Sequence, residues 1–169
     1  MKIVKWLLPL VLVYGAFAYG QSDSVENLAG KKMPSFSMTT FAGKKITNAS
    51  LKGKPYILDF WATWCGPCKA ASPTMQALHK KYAGKGLVVI GANTGESSGS
   101  MALAKKYPSE HGYTYTFTSK NDELGAKLGI GGIPCFIFVD KAGKVKAVKI
   151  GFNGEASPKE FEKLVQSMI

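Results

Sequence analysis

Tyr56-Ile57-Leu58-Asp59-Phe60-Trp61, followed closely by Trp64-Cys65-Gly66-Pro67-Cys68, is the stretch from which the rest of this chain is read. The first run is apolar enough for a buried strand, and the segment after Cys68 is compatible with a helix. Two cysteines separated by two residues can close a small disulfide, open to a dithiol, or supply half of a zinc site. At a strand-to-helix junction the leading reading is a redox centre.

Working outward, strand and helix patterns alternate. Upstream, Phe36 and Met38 alternate with polar neighbours, and Ala42-Gly43-Lys44 turns the chain before Ile46, which predicts a small β-hairpin. Asn48-Ala49-Ser50 fits a glycosylation acceptor and equally a turn or cap. Downstream, Met75, Leu78 and Tyr82 share one helical face, Pro73 kinks or restarts that helix, and Gly84 and Gly86 end it. Leu87 to Ile90 is a short buried strand. Gly95 to Ser100 is a loop and N-cap; it lacks the Gly-Lys-Ser/Thr ending of a phosphate cradle. Met101 to Tyr107 forms a short helix stopped by Pro108, and Tyr113 to Thr118 a strand. Asn121 caps a helix carrying Leu124 and Leu128, closed by Gly129. Cys135 to Asp140 and Val145 to Ile150 pair about Lys141-Ala142-Gly143-Lys144. Ser157-Pro158-Lys159-Glu160 is a capping box opening a terminal helix with Phe161, Leu164, Val165 and Met168 on one face. This order predicts an α/β sandwich with a mixed sheet.

The chain has 169 residues. Residues 1–20 begin with Lys2 and Lys5, run apolar from Trp6 to Tyr19, and end in small-residue patterns such as Ala16-Phe17-Ala18. That is a signal peptide, with an uncleaved anchor as the alternative, because the run falls short of the ~20 residues that span a bilayer. Residues 21–29 read as a linker and 30–169 as one domain, which at that length buries a core without staples. Three cysteines are too few for a disulfide scaffold. The net charge is +11, and the 22 basic residues are all lysine. Nucleic acid is not expected as a partner: arginine, which supplies the bidentate fork for phosphate and guanine, is missing, and the lysines are scattered in pairs such as Lys31-Lys32 and Lys80-Lys81.

The run Asp59 to Lys69 resembles the active-site signature of thioredoxins. Gly132-Ile133-Pro134 resembles that family's cis-proline loop, and Pro73 its active-site helix kink. Gly30 to Lys54 and the insert around Gly95 to Thr118 are similar to the extracytoplasmic TlpA/ResA-type branch, so the resemblance covers roughly residues 30–169. It implies a thioredoxin-like three-layer sandwich with a mixed central sheet and an N-terminal β-hairpin extension. It implies a monomeric enzyme with no cofactor beyond a Cys65–Cys68 disulfide, acting on protein disulfides and supplied with electrons by a membrane partner. Gly66-Pro67 between the cysteines resembles the reducing members. Asp59 would move a proton to or from Cys68. Pro134 would expose the backbone of Ile133 to a substrate segment and lie over the cysteine pair. Trp64, Gly66 and Pro67 would complete the docking surface, with Trp61 in the core.

Elementary chemistry points the same way for the sulfurs. Thiolate is the reactive form, and Cys65 at a helix N-terminus meets the positive end of the dipole. It is the expected nucleophile, and Cys68, one turn in, the resolving thiol. Asp59, inside an apolar strand, is expected to hold its proton to unusually high pH, unless it is partly exposed or hydrogen-bonded there. Two positions depart from the family pattern. Cys135 follows Pro134 where threonine is usual; it is either a small buried thiol or a third sulfur for exchange or metal binding. Ala71 stands where reductases of cytochrome c maturation often carry glutamate, which weakens a dedicated role on apocytochrome. The competing function is a copper chaperone using Cys65, Cys68 and Cys135. A peroxidase lacks its Pro-x-x-x-Thr-x-x-Cys pattern here. His79 and His111 lack ligand spacing and are expected at the surface.

Overall fold

The computed structural model describes residues 24–169, so the signal-peptide or anchor reading of residues 1–20 lies outside the described residues. Seven strands form one sheet: β1 (Ser37–Thr40), β2 (Lys45–Thr47), β3 (Tyr56–Trp61), β4 (Val88–Asn93), β5 (Thr116–Ser119), β6 (Cys135–Val139) and β7 (Val145–Ile150). Their spatial order is β2-β1-β5-β4-β3-β6-β7. The central β3, β4 and β5 run parallel, while the β1–β2 hairpin and the β6–β7 hairpin add antiparallel edges. Four helices cover the sheet: α1 (Gly66–Tyr82), α2 (Met101–Glu110), α3 (Asp122–Lys127) and α4 (Ser157–Gln166). This is the expected three-layer arrangement.

Strand alternation divides the core into two layers. Ile57 and Trp61 of β3 and Phe136 and Phe138 of β6 pack with Met75, Leu78 and Tyr82 of α1, Tyr107 of α2 and Phe161 of α4. Leu58, Phe60, Cys135 and Ile137 point the other way, onto Leu124 of α3, Leu128 and Val25. Every residue of β3 and β6 is buried, as strands covered on both faces must be.

The structure corrects several local expectations. Within the expected linker 21–29, Val25 is anchored: it is buried in a 3₁₀ turn, and its N–H donates to the Gly129 carbonyl, while Glu26, Asn27 and Ala29 stay exposed. Pro108 does not stop α2, which continues to Glu110; proline removes one N–H but the turn closes beyond it, where His111 N–H donates to the Tyr107 carbonyl. The Tyr113–Thr118 strand begins only at Thr116, because Tyr113 and Tyr115 turn into an aromatic cluster with Tyr107 and Phe117. Asn121 is the N-cap residue of α3 but its side chain makes no capping bond; its amide is buried and donates to the Asn93 carbonyl and to Thr118 Oγ1. The capping box at Ser157 is not formed either. Asn153 Oδ1 accepts from the N–H groups of Glu155 and Ala156, and Ser157 Oγ accepts from Asn153 N–H. Asn48 is a staple: its Oδ1 accepts from Phe36 N–H at 2.7 Å, and its Nδ2 donates to the Pro34 carbonyl.

Candidate active site

The cysteines sit where β3 hands over to α1. Cys65 is the N-cap of α1, with extended backbone, and Gly66 and Pro67 open the helix behind it. Proline suits that position because the first helical N–H has no partner to lose. Cys65 and Cys68 are disulfide-bonded with Cα atoms 5.3 Å apart. The first-turn N–H of Cys68 points at Cys65 Sγ, 3.2 Å away. That contact, with the dipole of a 17-residue helix behind it, favours negative charge on Cys65 once the disulfide opens. Cys68 has no exposed surface and Cys65 only 4%. Gly66 and Pro67 are exposed, and Trp64 is 63% exposed.

A brace of hydrogen bonds that the sequence reading treated only as a loop holds this rim. Glu96 accepts from Thr63 N–H (2.6 Å), Thr63 Oγ1 (2.9 Å), Asn93 Nδ2 (2.9 Å) and Ser100 Oγ (2.6 Å). Burial alone would raise its pKa, but the donors from Ser100, Thr63 and Asn93 outweigh it and hold the carboxyl below its ordinary value. Trp64 Nε1 donates to the Gly95 carbonyl at 2.8 Å, and Gly95 N–H donates to Asp122 Oδ1 at 2.7 Å. The one sequence signal for this brace was a lone acid within Gly95-Glu96-Ser97-Ser98-Gly99-Ser100.

Opposite Trp64 lies the loop before β6. The Ile133–Pro134 peptide is cis, as the resemblance implied, with Pro134 buried and Ile133 half-buried. Trp64, Gly95, Asp122, Gly125, Ile130 and Ile133 line one open groove of about 410 Å³ beside the cysteines.

Asp59 lies in the layer beneath. It alternates with Ile57 and Trp61, so it shares the α1 face of the sheet with Cys68. It is 1% exposed, the one buried carboxylate among the described residues, and its Oδ1 has no hydrogen-bond partner. Burial raises its pKa to about 8. Its neighbour on β4 is Gly91, where a Cβ would come within 2.8 Å of Phe117 and 3.1 Å of Trp61 Nε1. Ala71 is fully buried, so no second acid approaches from α1 at that position.

Cys135 is not part of this group. It pairs with Phe60 across β3–β6 and points into the α3 layer, on the other side of the sheet from the disulfide. Burial, then the charges of Asp59 and Glu26, push its thiol up to about 12. The three sulfurs therefore do not form one ligand set, and no group of three potential metal ligands occurs among the described residues. His79 is half-buried on α1; His111 follows α2 at the surface, stacked on Tyr113 and tilted against Tyr107.

The chain matches the Redoxin family over residues 28–165. It is 33% identical over 152 residues to the thiol-disulfide oxidoreductase ResA of Bacillus thuringiensis, covering 89% of this chain and 84% of that one. It is 31% identical over 154 residues to the thiol:disulfide interchange protein DsbE of Pseudomonas fluorescens, covering 89% and 83%. A thioredoxin-family thiol:disulfide interchange protein from Chlorobium tepidum superposes with a TM-score of 0.70 at 33% identity, covering 81% of this chain and 94% of that one.

Proposed function

This chain belongs to the Redoxin family, as a thiol-disulfide oxidoreductase of the ResA and DsbE type, and we propose that it reduces disulfides of other proteins outside the cytoplasm. The observation that carries the chemistry is the helix N-terminus at Cys65, whose sulfur faces the Cys68 N–H while Asp59 lies buried on the same face of the sheet. The export pattern of residues 1–20 supports the location, and Gly66-Pro67 between the cysteines supports the reducing direction.

The cycle starts from the dithiol. Cys65 thiolate attacks one sulfur of a substrate disulfide; that bond breaks, the leaving sulfur takes a proton from water, and Cys65 is joined to the substrate. Asp59 carboxylate takes the Cys68 proton. The new Cys68 thiolate attacks Cys65 Sγ, closing the enzyme disulfide and releasing the second substrate sulfur. A partner dithiol, which we place at the membrane, reverses the enzyme's oxidation: one of its thiolates attacks Cys65 and opens the disulfide, protonated Asp59 returns its proton to departing Cys68, and the partner's second thiolate then displaces Cys65 as thiolate, leaving the partner as a disulfide. Trp64, Gly66, Pro67 and Ile133 offer the surface on which an extended substrate segment lies, with Pro134 beneath it.

Reduction of insulin disulfides by dithiothreitol tests this. Wild type should accelerate the reaction and Cys65→Ser should not; a wild type no faster than that variant would overturn the enzyme reading. Equilibration with glutathione buffers fixes the direction. A reductase should stay oxidised in buffers that reduce a strong oxidant of the same fold.

A further inference from the structure

The groove beside the cysteines is apolar along most of its length. Trp64, Ile130 and Ile133 supply its walls, and Gly131 and Gly132 have open space where a Cβ would stand, so a substrate backbone can come close there. Asp122 is the one charged residue lining it. The neighbouring charges are engaged elsewhere. Glu123 lines a separate groove with Ser35 and Phe36, and Lys127 gives its ammonium to the Ser35 carbonyl at 2.6 Å. The ion pairs among the described residues are Lys81–Glu162 and Lys149–Glu160, so no described lysine neutralises Asp122.

Asp122 is also held in place. Gly95 N–H donates to its Oδ1 at 2.7 Å, and Thr94 Oγ1 donates to the same atom at 3.3 Å. Both bonds fall on one oxygen, which leaves Oδ2 to a ligand. The carbonyl of the same Gly95 accepts from Trp64 Nε1 at 2.8 Å. One residue thus ties the carboxylate to the exposed indole. A carboxylate beside an aromatic face matches one kind of side chain: a long cationic one, whose stem lies along the indole while its head meets the carboxylate. An acidic side chain there would meet like charge, and a small neutral one would leave Asp122 to water.

We infer that Asp122 is a specificity-determining residue, and that this groove selects protein segments carrying a lysine or arginine near the reactive cysteine. The inference rests on the reading of the protein as a reductase of protein disulfides, and it names which of those disulfides are preferred. The net charge of +11 opposes it at long range, because the scattered lysines repel a cationic segment. Salt at about 0.15 M screens exposed charges beyond roughly 8 Å, which leaves the contact at Asp122 as the deciding interaction.

Reduction of homodimeric peptide disulfides tests it, since attack on either sulfur seats the same segment. Each peptide carries one central cysteine among alanines and serines, with lysine, alanine or glutamate placed in turn at each flanking position. The second-order rate with reduced enzyme is divided by that with dithiothreitol, which cancels the peptide's own reactivity. It is read at about 0.15 M and about 0.5 M salt for wild type, Asp122→Asn, Asp122→Lys and Glu123→Gln. Asparagine keeps an oxygen for Gly95 N–H and removes the charge. At the preferred position wild type should reduce the lysine peptide about fivefold faster than the glutamate peptide, the scale of one partly exposed ion pair, and the ratio should shrink at the higher salt. Asp122→Asn should bring the ratio to about one and Asp122→Lys should invert it, while Glu123→Gln, which removes the same charge from a different groove, should keep it. A wild-type ratio of one or below at every position, or a ratio that Asp122→Asn leaves in place, overturns the proposal. Equal slowing of all three peptides by Asp122→Asn would show that the residue only holds Gly95 and Trp64, and overturns it too. If wild type reduces no peptide faster than Cys65→Ser, the reductase reading itself falls and the preference with it.

Discussion

At the scale of single residues, Asp59 sets the terms. Its folded-state pKa is raised by burial to about 8, whereas an unfolded aspartate titrates near 3.9. Below about pH 4 both states hold the proton and nothing is lost. As pH rises the unfolded chain ionises while the fold keeps its proton, so stability declines until the folded carboxyl ionises too. Asparagine does not titrate. Asp59→Asn should therefore be more stable than wild type above about pH 4, the gap widening until about pH 8 and level beyond it, and reaching on the order of 4 kcal/mol at pH 7, less the cost of an unpartnered amide. Urea unfolding of the oxidised proteins across that range checks it; a difference constant with pH would show that Asp59 titrates normally. The burial of Asp59 was readable from sequence, because a lone acid inside Tyr56–Trp61 has neighbours on both sides that must be covered. That its Oδ1 is left without a partner was not readable, because any partner would have to come from another element.

At the scale of elements, the start of α1 was the most readable feature and its support the least. A Cys-Gly-Pro-Cys run after an apolar strand fixes an N-terminus because proline prefers the first helical turn and the cap side chain accepts an N–H. Capping predictions elsewhere failed for a common reason. Asn121 and Ser157 had competing partners in Asn93, Thr118 and Asn153, and a tertiary or loop contact outbid the local motif. The Glu96 brace was invisible for a related reason, since its donors come from Thr63, Asn93 and Ser100. Its carboxyl titrates below its ordinary value once folded, so its contribution is present above the unfolded pKa near 4.3 and disappears as pH falls through the folded one. Glu96→Gln should cost about 1 kcal/mol at pH 7, held low because the group is partly exposed, and almost nothing at pH 3. Insulin reduction should fall with it, because Thr63 and Trp64 lose their anchor. An acid-unfolding curve that coincides for the two proteins would show that the brace carries no stability.

At the scale of the whole molecule, the sheet separates two chemistries that the sequence places side by side. Pro134 and Cys135 are adjacent, but the thiol turns into the α3 layer among Phe60, Leu124 and Ile137, on the other face of the sheet from the disulfide. The mixed sheet was foreseeable from the alternation of helix and strand; the face that Cys135 takes depended on register, and a one-residue slip would have reversed it. The consequence is a thiol shielded by the whole fold. In the reduced native protein, an aromatic disulfide reagent should consume Cys65 quickly and leave Cys135 untouched, since its ionisation is held up to about 12 and it has no exposed surface. Cys135 should react only at the rate of global unfolding, with the same urea dependence as the loss of structure. Cys135→Ser should retain wild-type insulin reduction while losing about 1–3 kcal/mol of stability, because a hydroxyl replaces a thiol in an apolar layer. Fast labelling of Cys135 in the native state, or loss of turnover in the serine variant at full folding, would bring the third sulfur back into the redox site.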